Sequence, residues 1–579
     1  MQRRLPIIAF ALALAGCATI PRTAPEPVAP VEIGIIAIND FHGALEPPRQ
    51  SVQVTGADGR SFPVPAGGAA YLATAVAQVR AKYANHLTVA AGDLTGGSQL
   101  ASAVHLDEPA VGVMNRLGLD YAAVGNHEFD RGVRELTRLQ AGGCEQHTIR
   151  QPCALEPFPG ARYRYLAANV IGPDGATLFP ATALKTFGSG RDEVTVGVIG
   201  LTLEGTDALV SPGGLAGYRF EDEVTAINRG VAALKAQGAD AVVVLFHQGV
   251  RTGDPPDPDG CTDPTGELAP ILAELDPRID IVVSGHTHWQ YVCEWPSREP
   301  GRSFLVTSAG LYGKLVTDIR LTIDPASGRV LTRTADNVIV QSEPYRGATT
   351  QVEIRPELPR FAADPAIAAF IGQYVRATEA FANRAVGKVS GPASLGVDGN
   401  SAMGGTLGNL IADAQVAATR GAGAQIALMN PFGIRTALNP AEDGAVTFGA
   451  LYRIQPFDNT LVTMSLTGAE LKAVLEQGLD GAPTNQWLAP SVGFAYRYDL
   501  ARAVGDRVVA MTLDGRPIDP AATYRVTTNS FLAEGGDSFT LLAQGREKVI
   551  GVADVAALEA WVGGNSVRRI PEELRYPGS

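Results

Sequence analysis

Positive charge is scarce in this sequence, because 47 lysines and arginines stand against 60 aspartates and glutamates and leave a net charge of −13. A protein that binds a nucleic-acid polymer needs a basic face, so we expect no such partner. The acidic balance does not exclude a small anionic substrate, because bound metal ions would dominate the electrostatic field at their own site.

Cysteine is also scarce, with five residues in 579. Four of them form two local pairs, Cys144 with Cys153 and Cys261 with Cys293. Zinc binding is one interpretation of such pairs, but neither pair has Cys-x-x-Cys spacing. We therefore favour two disulfides, which form in an oxidising compartment.

No apolar run near the start is long enough to cross a bilayer. Residues 5–14 are apolar but too short, and they follow Arg3 and Arg4. Residues 1–17 therefore predict a secretion signal, with 18–32 as a proline-rich tether. Leu14-Ala15-Gly16-Cys17 resembles a bacterial lipobox, which implies lipidation of Cys17 and an exported lipoprotein that faces the periplasm or lies in the outer membrane. An ordinary cleaved signal is the alternative.

Short runs rich in valine and isoleucine recur through the first half of the chain, at residues 33–38, 86–91, 121–124, 241–245 and 279–283. Each predicts a buried strand. Five of the eight histidines follow these runs, and we expect the other three, His86, His105 and His147, on the surface or in loops. Ligands of open α/β sheets bind beyond the carboxyl ends of the strands, so the polar residues that follow the runs should converge.

The residue types at these strand ends suit two divalent ions about 3.5 to 4 Å apart. One ion would take Asp40, His42 and His288, the other would take Asn126, His247 and His286, and Asp93 would bridge them. Mixed oxygen and nitrogen ligands favour zinc, manganese, cobalt or iron over magnesium or calcium.

His127 is left without a metal in this assignment. It is free to stabilise a transition state electrostatically, with Asp130 to orient its ring. Glu128 has two interpretations, a support for a ligand or a solvated carboxylate.

The chain is too long for one core, and we expect two domains. Alternating strands and helices predict a layered α/β domain over residues 33–345. Asp364 and Pro365 begin an amphipathic connector helix within a linker at 346–384. A second domain is expected at 385–565, with a tail at 566–579. The order of the strands does not follow from the sequence.

The strand-end motifs together resemble the signature of the calcineurin-like metallophosphoesterases. Later motifs, such as Gly408-Asn409-Leu410 and Asn529 to Asp537, extend the resemblance to the 5'-nucleotidase family, which includes UDP-sugar hydrolases and 2',3'-cyclic phosphodiesterases. The resemblance implies a four-layer α/β/β/α domain, an α+β nucleotide-recognition domain joined by a helix, and rotation between them.

The resemblance also implies substrate-binding residues in the second domain. Phe457 and Phe531 would sandwich the base, Asp537 would accept the ribose hydroxyls, and Asn430 and Arg435 would contact the nucleotide. For isolated phenylalanines core packing is the usual role, but turn-forming or polar residues flank both of these rings.

Two departures from the family affect this pocket. Phe432 stands where the family usually has glycine, and residues 400–404 lack the arginine that relatives carry before the Gly-Asn-Leu motif.

We expect a monomeric, metal-dependent phosphoric monoester hydrolase that acts on nucleoside 5'-monophosphates. The alternatives within hydrolases are cyclic-nucleotide phosphodiesterase, UDP-sugar hydrolase and a related branch that performs thiosulfohydrolysis. An alternative of another class is a lipid-anchored nucleotide-binding protein with an inactive site.

Overall fold

The computed structural model describes residues 28–56, 59–148, 150–210, 214–215, 217–253, 257–346, 351–396, 400–457, 459–481, 485–563 and 566–578. The expected signal, Cys17 and most of the expected tether lie outside the described residues. Within the described residues, no helix is both long and apolar enough to cross a membrane.

The part of the chain before residue 353, here called the N-terminal region, is rich in strands. They are β1 (Val31–Ile38), β2 (Ser51–Thr55), β3 (Ser61–Pro65), β4 (Asn85–Ala90), β5 (Tyr121–Ala123), β6 (Arg164–Leu166), β7 (Val170–Ile171), β8 (Thr182–Phe187), β9 (Val194–Thr202), β10 (Arg219–Phe220), β11 (Ala241–His247), β12 (Ile281–Ser284), β13 (Gln290–Pro296), β14 (Ser303–Ala309), β15 (Leu315–Asp324), β16 (Arg329–Ile339), β17 (Tyr345–Arg346) and β18 (Gln351–Val352).

Helices alternate with these strands. They are α1 (Ala69–Arg80), α2 (Leu100–Ala103), α3 (Glu108–Leu117), α4 (Gly132–Ala141), α5 (Thr206–Leu209), α6 (Glu223–Ala236) and α7 (Leu268–Ala273). The long helix α8 (Pro365–Ala382) follows.

Two six-stranded sheets form the centre of the N-terminal region, in the orders β16-β15-β1-β4-β5-β6 and β13-β14-β12-β11-β9-β8. The pairs β1–β4, β4–β5 and β5–β6 are parallel in the first sheet, as are β9–β11, β11–β12 and β12–β14 in the second. Both sheets are therefore mixed, with antiparallel strands toward their edges.

The two sheets pack face to face through apolar side chains such as Ile35 and Leu87 of one sheet and Val198 and Val243 of the other. Helices α1, α3, α4 and α8 cover the outer face of the first sheet, and α6 and α7 cover that of the second. This is the α/β/β/α arrangement expected from the resemblance, which is confirmed. Strands buried on both faces explain the continuous valine and isoleucine runs.

Helix α8 begins where the sequence predicts. The Asp364 side chain accepts hydrogen bonds from the backbone N–H groups of Ala366 and Ile367, and Pro365 occupies the first turn. Its Phe370 ring lies 3.5 Å from the Arg116 guanidinium of α3, and its Phe381 ring lies 4.3 Å from the ring of Phe448 further along the chain. Helix α8 thus contacts the parts of the chain on both sides of it.

The part after α8, here called the C-terminal region, has its own sheets and cores. Its elements are β19 (Ala385–Lys388), α9 (Gly405–Ala418), β20 (Ile426–Met429), β21 (Ala445–Thr447), α10 (Phe448–Tyr452), β22 (Thr460–Thr467), α11 (Gly468–Gln477), β23 (Ala489–Pro490), β24 (Phe494–Tyr498), β25 (Val508–Leu513), β26 (Arg516–Pro517), β27 (Thr523–Asn529), α12 (Ser530–Ala533), α13 (Thr540–Ala543), β28 (Arg546–Ala553) and α14 (Asp554–Val562). A five-stranded sheet has the order β23-β20-β27-β22-β28.

Both expected disulfides are present, between Cys144 and Cys153 and between Cys261 and Cys293. One expectation about histidine was wrong in part. His105 lies in the turn between α2 and α3, but it is buried, and its ring packs edge-on against Tyr374 of α8 with centroids 5.1 Å apart.

Candidate metal centre

The polar residues at the carboxyl ends of β1, β4, β5, β11 and β12 lie together at one end of the two sheets. Five of the seven expected ligands have backbone φ angles in the left-handed region, which non-glycine residues rarely adopt. They are Asp40 (49°), His42 (47°), Asp93 (50°), His286 (68°) and His288 (62°). Such strain concentrates at functional sites, where the surrounding fold holds it in place.

The first group of ligand atoms comes from Asp40, His42, Asp93 and His288, and all of these atoms lie within 4.8 Å of one another. His42 Nε2 is 3.2 Å from His288 Nε2, 3.7 Å from Asp93 Oδ2 and 3.8 Å from Asp40 Oδ1. This is the set that the sequence assigns to the first ion.

The second group comes from Asp93, His247 and His286, with Asn126 between the two rings. Asn126 Oδ1 lies 3.0 Å from His247 Nε2 and 3.0 Å from His286 Nδ1. Asp93 Oδ2 lies 3.1 Å from the same His247 Nε2. Asp93 therefore belongs to both groups, as a bridging carboxylate would.

The donor and acceptor roles at this point fit a cation. His247 Nδ1 lies 2.8 Å from the Ala91 carbonyl, which can only accept, so this nitrogen carries a proton. In the neutral ring, Nε2 then carries a lone pair that faces Asn126 Oδ1 and Asp93 Oδ2, and both of these oxygens are acceptors as well. Within the described residues, the buried Asp93 Oδ2 accepts no hydrogen bond. Convergent lone pairs without a donor are what a divalent ion requires of its ligands.

Burial and charge set the protonation of these groups. Burial lowers the pKa of both His42 and His286 to about 3, which keeps their ring nitrogens neutral and able to bind a metal. Burial raises the pKa of Asp40 to about 7. Burial also opposes a charge on His247, but the Asp93 carboxylate outweighs it and raises the pKa of His247 to about 9. Positive charge is thus favoured beside Asp93, either as a second proton on His247 or as a divalent ion that displaces this proton from Nε2.

Glu128 supports the site and is not solvated. Its buried carboxylate accepts hydrogen bonds from the backbone N–H groups of Asp93 (2.9 Å), Leu94 (2.8 Å), Thr95 (3.1 Å) and Gly125 (2.6 Å). It therefore joins the loop after β4 to the loop after β5. The sequence left this role open, and the place of Glu128 directly after Asn126-His127 was its only signal.

His127 lies beside the metal ligands and pairs with Asp130. The Asp130 oxygens lie 2.9 and 3.0 Å from His127 Nδ1. Burial opposes a charge on His127, but Asp130 and Asp93 outweigh it and raise its pKa above the ordinary value. The pairing expected from the sequence is thus present, and it favours a protonated ring.

The C-terminal region brings Phe457 and Arg435 to this centre. The Phe457 ring lies parallel to the His127 ring, with 5.7 Å between centroids and 10° between planes. The Arg435 guanidinium lies 5.7 Å from the centroid of the Phe457 ring, and its Nη2 is buried. A side chain on Gly97, in the loop after β4, would contact His42, Phe457 and Arg435 at 3.5 to 3.7 Å.

The other expected substrate residues form a second cluster. Asn430 Nδ2 donates to Asp537 Oδ2 at 2.6 Å, and Asn529 Nδ2 donates to Asn430 Oδ1 at 2.9 Å. Burial raises the pKa of Asp537 to about 6. The Phe531 ring packs against Gly536, next to Asp537. No ring contact joins Phe531 to Phe457 among the described residues, so the base sandwich remains a prediction.

Phe432, which the sequence predicts to depart from the family pattern, has 40% of its surface exposed. In the sequence it is two residues from Asn430, a member of the second cluster.

Comparison with known proteins places these clusters in a family context. Residues 33–290 match the calcineurin-like phosphoesterase family, and residues 385–544 match the 5'-nucleotidase C-terminal domain family. Endonuclease YhcR of Bacillus subtilis (strain 168) is 30% identical over 93% of this chain, and cell wall protein Lmo0130 of Listeria monocytogenes is 29% identical over 88%. The chain spans 40% and 64% of the lengths of these two proteins.

A solved structure covers almost the whole chain. The 5'-nucleotidase precursor from Thermus thermophilus is 28% identical, with a TM-score of 0.73. The match covers 94% of this chain and 99% of that one.

Proposed function

Because this chain belongs to the family that joins a calcineurin-like phosphoesterase domain to a 5'-nucleotidase C-terminal domain, we propose that it is a metal-dependent hydrolase that releases phosphate from nucleoside 5'-monophosphates. The observation that carries the proposal is the pair of ligand groups that share Asp93. Asp40, His42 and His288 would hold one ion, and Asn126, His247 and His286 would hold the other. When bound, two such ions supply Lewis acidity at a phosphoryl group.

The protein's own residues would bind and orient the substrate. His127, held by Asp130, would donate a hydrogen bond to a phosphoryl oxygen as negative charge develops there. Arg435 offers planar charged donors to the same anion. Phe457 and Phe531 would stack on the base, and Asp537 and Asn430 would bind the sugar and its neighbours.

The proposal includes the organisation of the chain. Residues 33–345 would form the catalytic domain, 346–384 the linker and 385–565 the substrate-recognition domain. Residues 1–17 would direct export and 18–32 would tether the protein to a membrane through lipidated Cys17. The two disulfides support an oxidising location. Loss of membrane partitioning in Cys17→Ser would test the anchor, and unchanged partitioning would contradict it.

A substrate panel tests the reaction. Phosphate release would be measured from AMP, UMP, a 2',3'-cyclic nucleotide, UDP-glucose and 4-nitrophenyl phosphate, with Mn²⁺ and with a chelator. We expect chelator-sensitive turnover that prefers the 5'-monophosphates. Turnover confined to the cyclic or aryl substrate would contradict the nucleotidase assignment, and no turnover with any divalent metal would favour the binding-protein alternative.

Two variants distinguish the role of the metal site from that of the residues expected to bind the base. Asp93→Ala should reduce turnover of every substrate by the same large factor, because both ions depend on it. Phe531→Ala should reduce turnover of nucleotides selectively, because aromatic stacking acts on the base alone. A selective loss in Asp93→Ala would contradict the shared-metal proposal.

A further inference from the structure

A buried carboxylate outside the ligand set connects the two halves of the candidate site. Asp107 is fully buried between α2 and α3. Its Oδ2 accepts from the Gly96 backbone N–H at 3.2 Å and from Arg131 Nη1 at 2.6 Å, and its Oδ1 accepts from the Ser102 hydroxyl at 2.7 Å. Asp107 thus binds two different loops at once.

The first of these loops holds a metal ligand. The Gly96 N–H donates to Asp107, and the Gly96 carbonyl accepts from His42 Nδ1 at 2.8 Å. Because a carbonyl can only accept, this bond fixes the proton of the neutral ring on Nδ1 and leaves Nε2 free as a ligand. The orientation of His42 therefore depends on the position of the Gly96 peptide, which Asp107 holds.

The second loop holds the candidate catalytic histidine. Arg131 directly follows Asp130, the partner of His127, and forms an ion pair with Asp107. Gly96 also packs against this turn so closely that a side chain there would collide with the His127 carbonyl and the Asp130 carboxylate. The Gly96 peptide and the Asp130 turn are thus held against each other by one carboxylate.

Backbone strain supports a specific role for Asp107. Leu106 and Asp107 have φ angles of 55° and 61°, and two consecutive non-glycine residues in this region are costly. Burial opposes ionisation, but Arg131 and the Ser102 hydroxyl hold the pKa of Asp107 below its usual value. The carboxylate is therefore charged where it bonds both loops.

We infer that Asp107 is a positioning residue that fixes the position of the His42 imidazole relative to the His127–Asp130 pair. It acts on His42 through Gly96 and on the pair through Arg131. The inference rests on the proposed function for its catalytic part, but its effect on metal binding does not require turnover.

Three variants of the full chain test it. Asp107→Asn keeps the shape and removes the charge. Arg131→Gln removes the ion pair that joins Asp107 to the His127 turn, together with the Arg131 bond to the Ala103 carbonyl. Asp318→Asn is the matched control, because Asp318 is also a buried carboxylate of the N-terminal region that accepts from one hydroxyl (Tyr83, 2.6 Å) and one cation (Lys82, 2.7 Å).

A Mn²⁺ titration tests the link from Asp107 through Gly96 to His42. The concentration of free Mn²⁺ is followed by electron paramagnetic resonance and gives the affinity of the protein for the ion. We expect Asp107→Asn to weaken Mn²⁺ binding about 10-fold, as loss of a residue that orients a ligand does, and Asp318→Asn to leave it unchanged. Equal Mn²⁺ affinity in these two variants would overturn the inference. This result stands even where the wild-type protein hydrolyses no phosphate ester, which would contradict the proposed function alone.

Steady-state kinetics with 4-nitrophenyl phosphate measure the second link. Arg131→Gln should lower kcat about 10-fold with little change in KM or Mn²⁺ affinity. The same substitution in a His127→Ala background should cost almost nothing further, because it acts through His127. An unchanged kcat, or an equal loss of kcat in the wild-type and His127→Ala backgrounds, would overturn the proposed link from Asp107 to His127. If Asp107→Asn does not fold, Arg131→Gln still tests this link.

Discussion

The parallel stack of Phe457 on His127, with centroids 5.7 Å apart, joins the C-terminal region to the candidate catalytic histidine. A residue expected to hold the base therefore lies on the ring expected to act on the phosphate. We therefore expect base binding and the environment of His127 to be coupled through Phe457.

Replacement of Phe457 tests this coupling. Phe457→Ala should reduce kcat/KM for AMP about 10- to 100-fold, since one base stack contributes on the order of 1 to 3 kcal/mol. Turnover of 4-nitrophenyl phosphate should fall far less, because that substrate has no base. Steady-state kinetics on both substrates provide the measurement, and equal losses would show that Phe457 acts only on His127.

Phe432 offers a test of substrate size. Its ring is 40% exposed and lies two residues after Asn430 in the sequence, so we expect it to crowd substrates that extend beyond the nucleotide. Phe432→Ala should therefore raise the ratio of kcat/KM for UDP-glucose to that for UMP by about 10-fold, a range typical of pocket-shape effects. An unchanged ratio would place the ring outside the path of the sugar.

The candidate metal centre could be predicted from the sequence because each strand, and the polar residues that follow it, show a local pattern. Each valine and isoleucine run indicates a buried strand, and the residues after parallel strands must meet at one end of the sheet. Asp93 could be proposed as the shared residue from its place in this order, and it belongs to both groups of possible ligand atoms. The order of the strands could not be predicted, because strands far apart in the sequence pair with each other. The β1–β15 pair, for example, joins Val31 to Ile323.

Residues whose roles depend on distant packing escaped prediction. Glu128 had two interpretations because a carboxylate next to a ligand supports the site only if backbone N–H groups from other loops donate to it. The sequence does not show whether those groups lie close to it. His105 is buried because α8, more than 250 residues later, places Tyr374 against it. The contact between Phe457 and His127 likewise depends on how the two regions pack, which no local pattern encodes.

Glu128 provides a test of support for the ligands. Glu128→Gln turns an amide toward backbone N–H donors and leaves at least one of them unpaired, at a cost of about 1 to 3 kcal/mol. The shift of the two loops should also lower kcat about 10- to 100-fold. Thermal unfolding and steady-state kinetics measure the two effects.

The matched control for this variant is Glu476→Gln. Glu476 is buried in the C-terminal region and accepts from the backbone N–H groups of Arg507 and Val508 at 3.0 and 2.7 Å. It should lose similar stability with an unchanged kcat. A parallel fall of kcat in both variants would mean that the loss reflects stability alone.

Lys314 connects stability to pH. Burial lowers the pKa of this lysine to about 8 in the folded protein, whereas an unfolded chain has a lysine pKa of about 10.4. Between these values the unfolded state binds more protons, so the contribution of Lys314 to stability rises with pH.

Lys314→Met removes the titrating group and keeps most of the apolar stem. The variant should therefore be more stable than the wild type at pH 7.5, and the difference should shrink by on the order of 1 to 2 kcal/mol at pH 9.5. Urea unfolding of both proteins at the two pH values measures this difference, and a constant difference would show that Lys314 is not charged at a cost in the folded state.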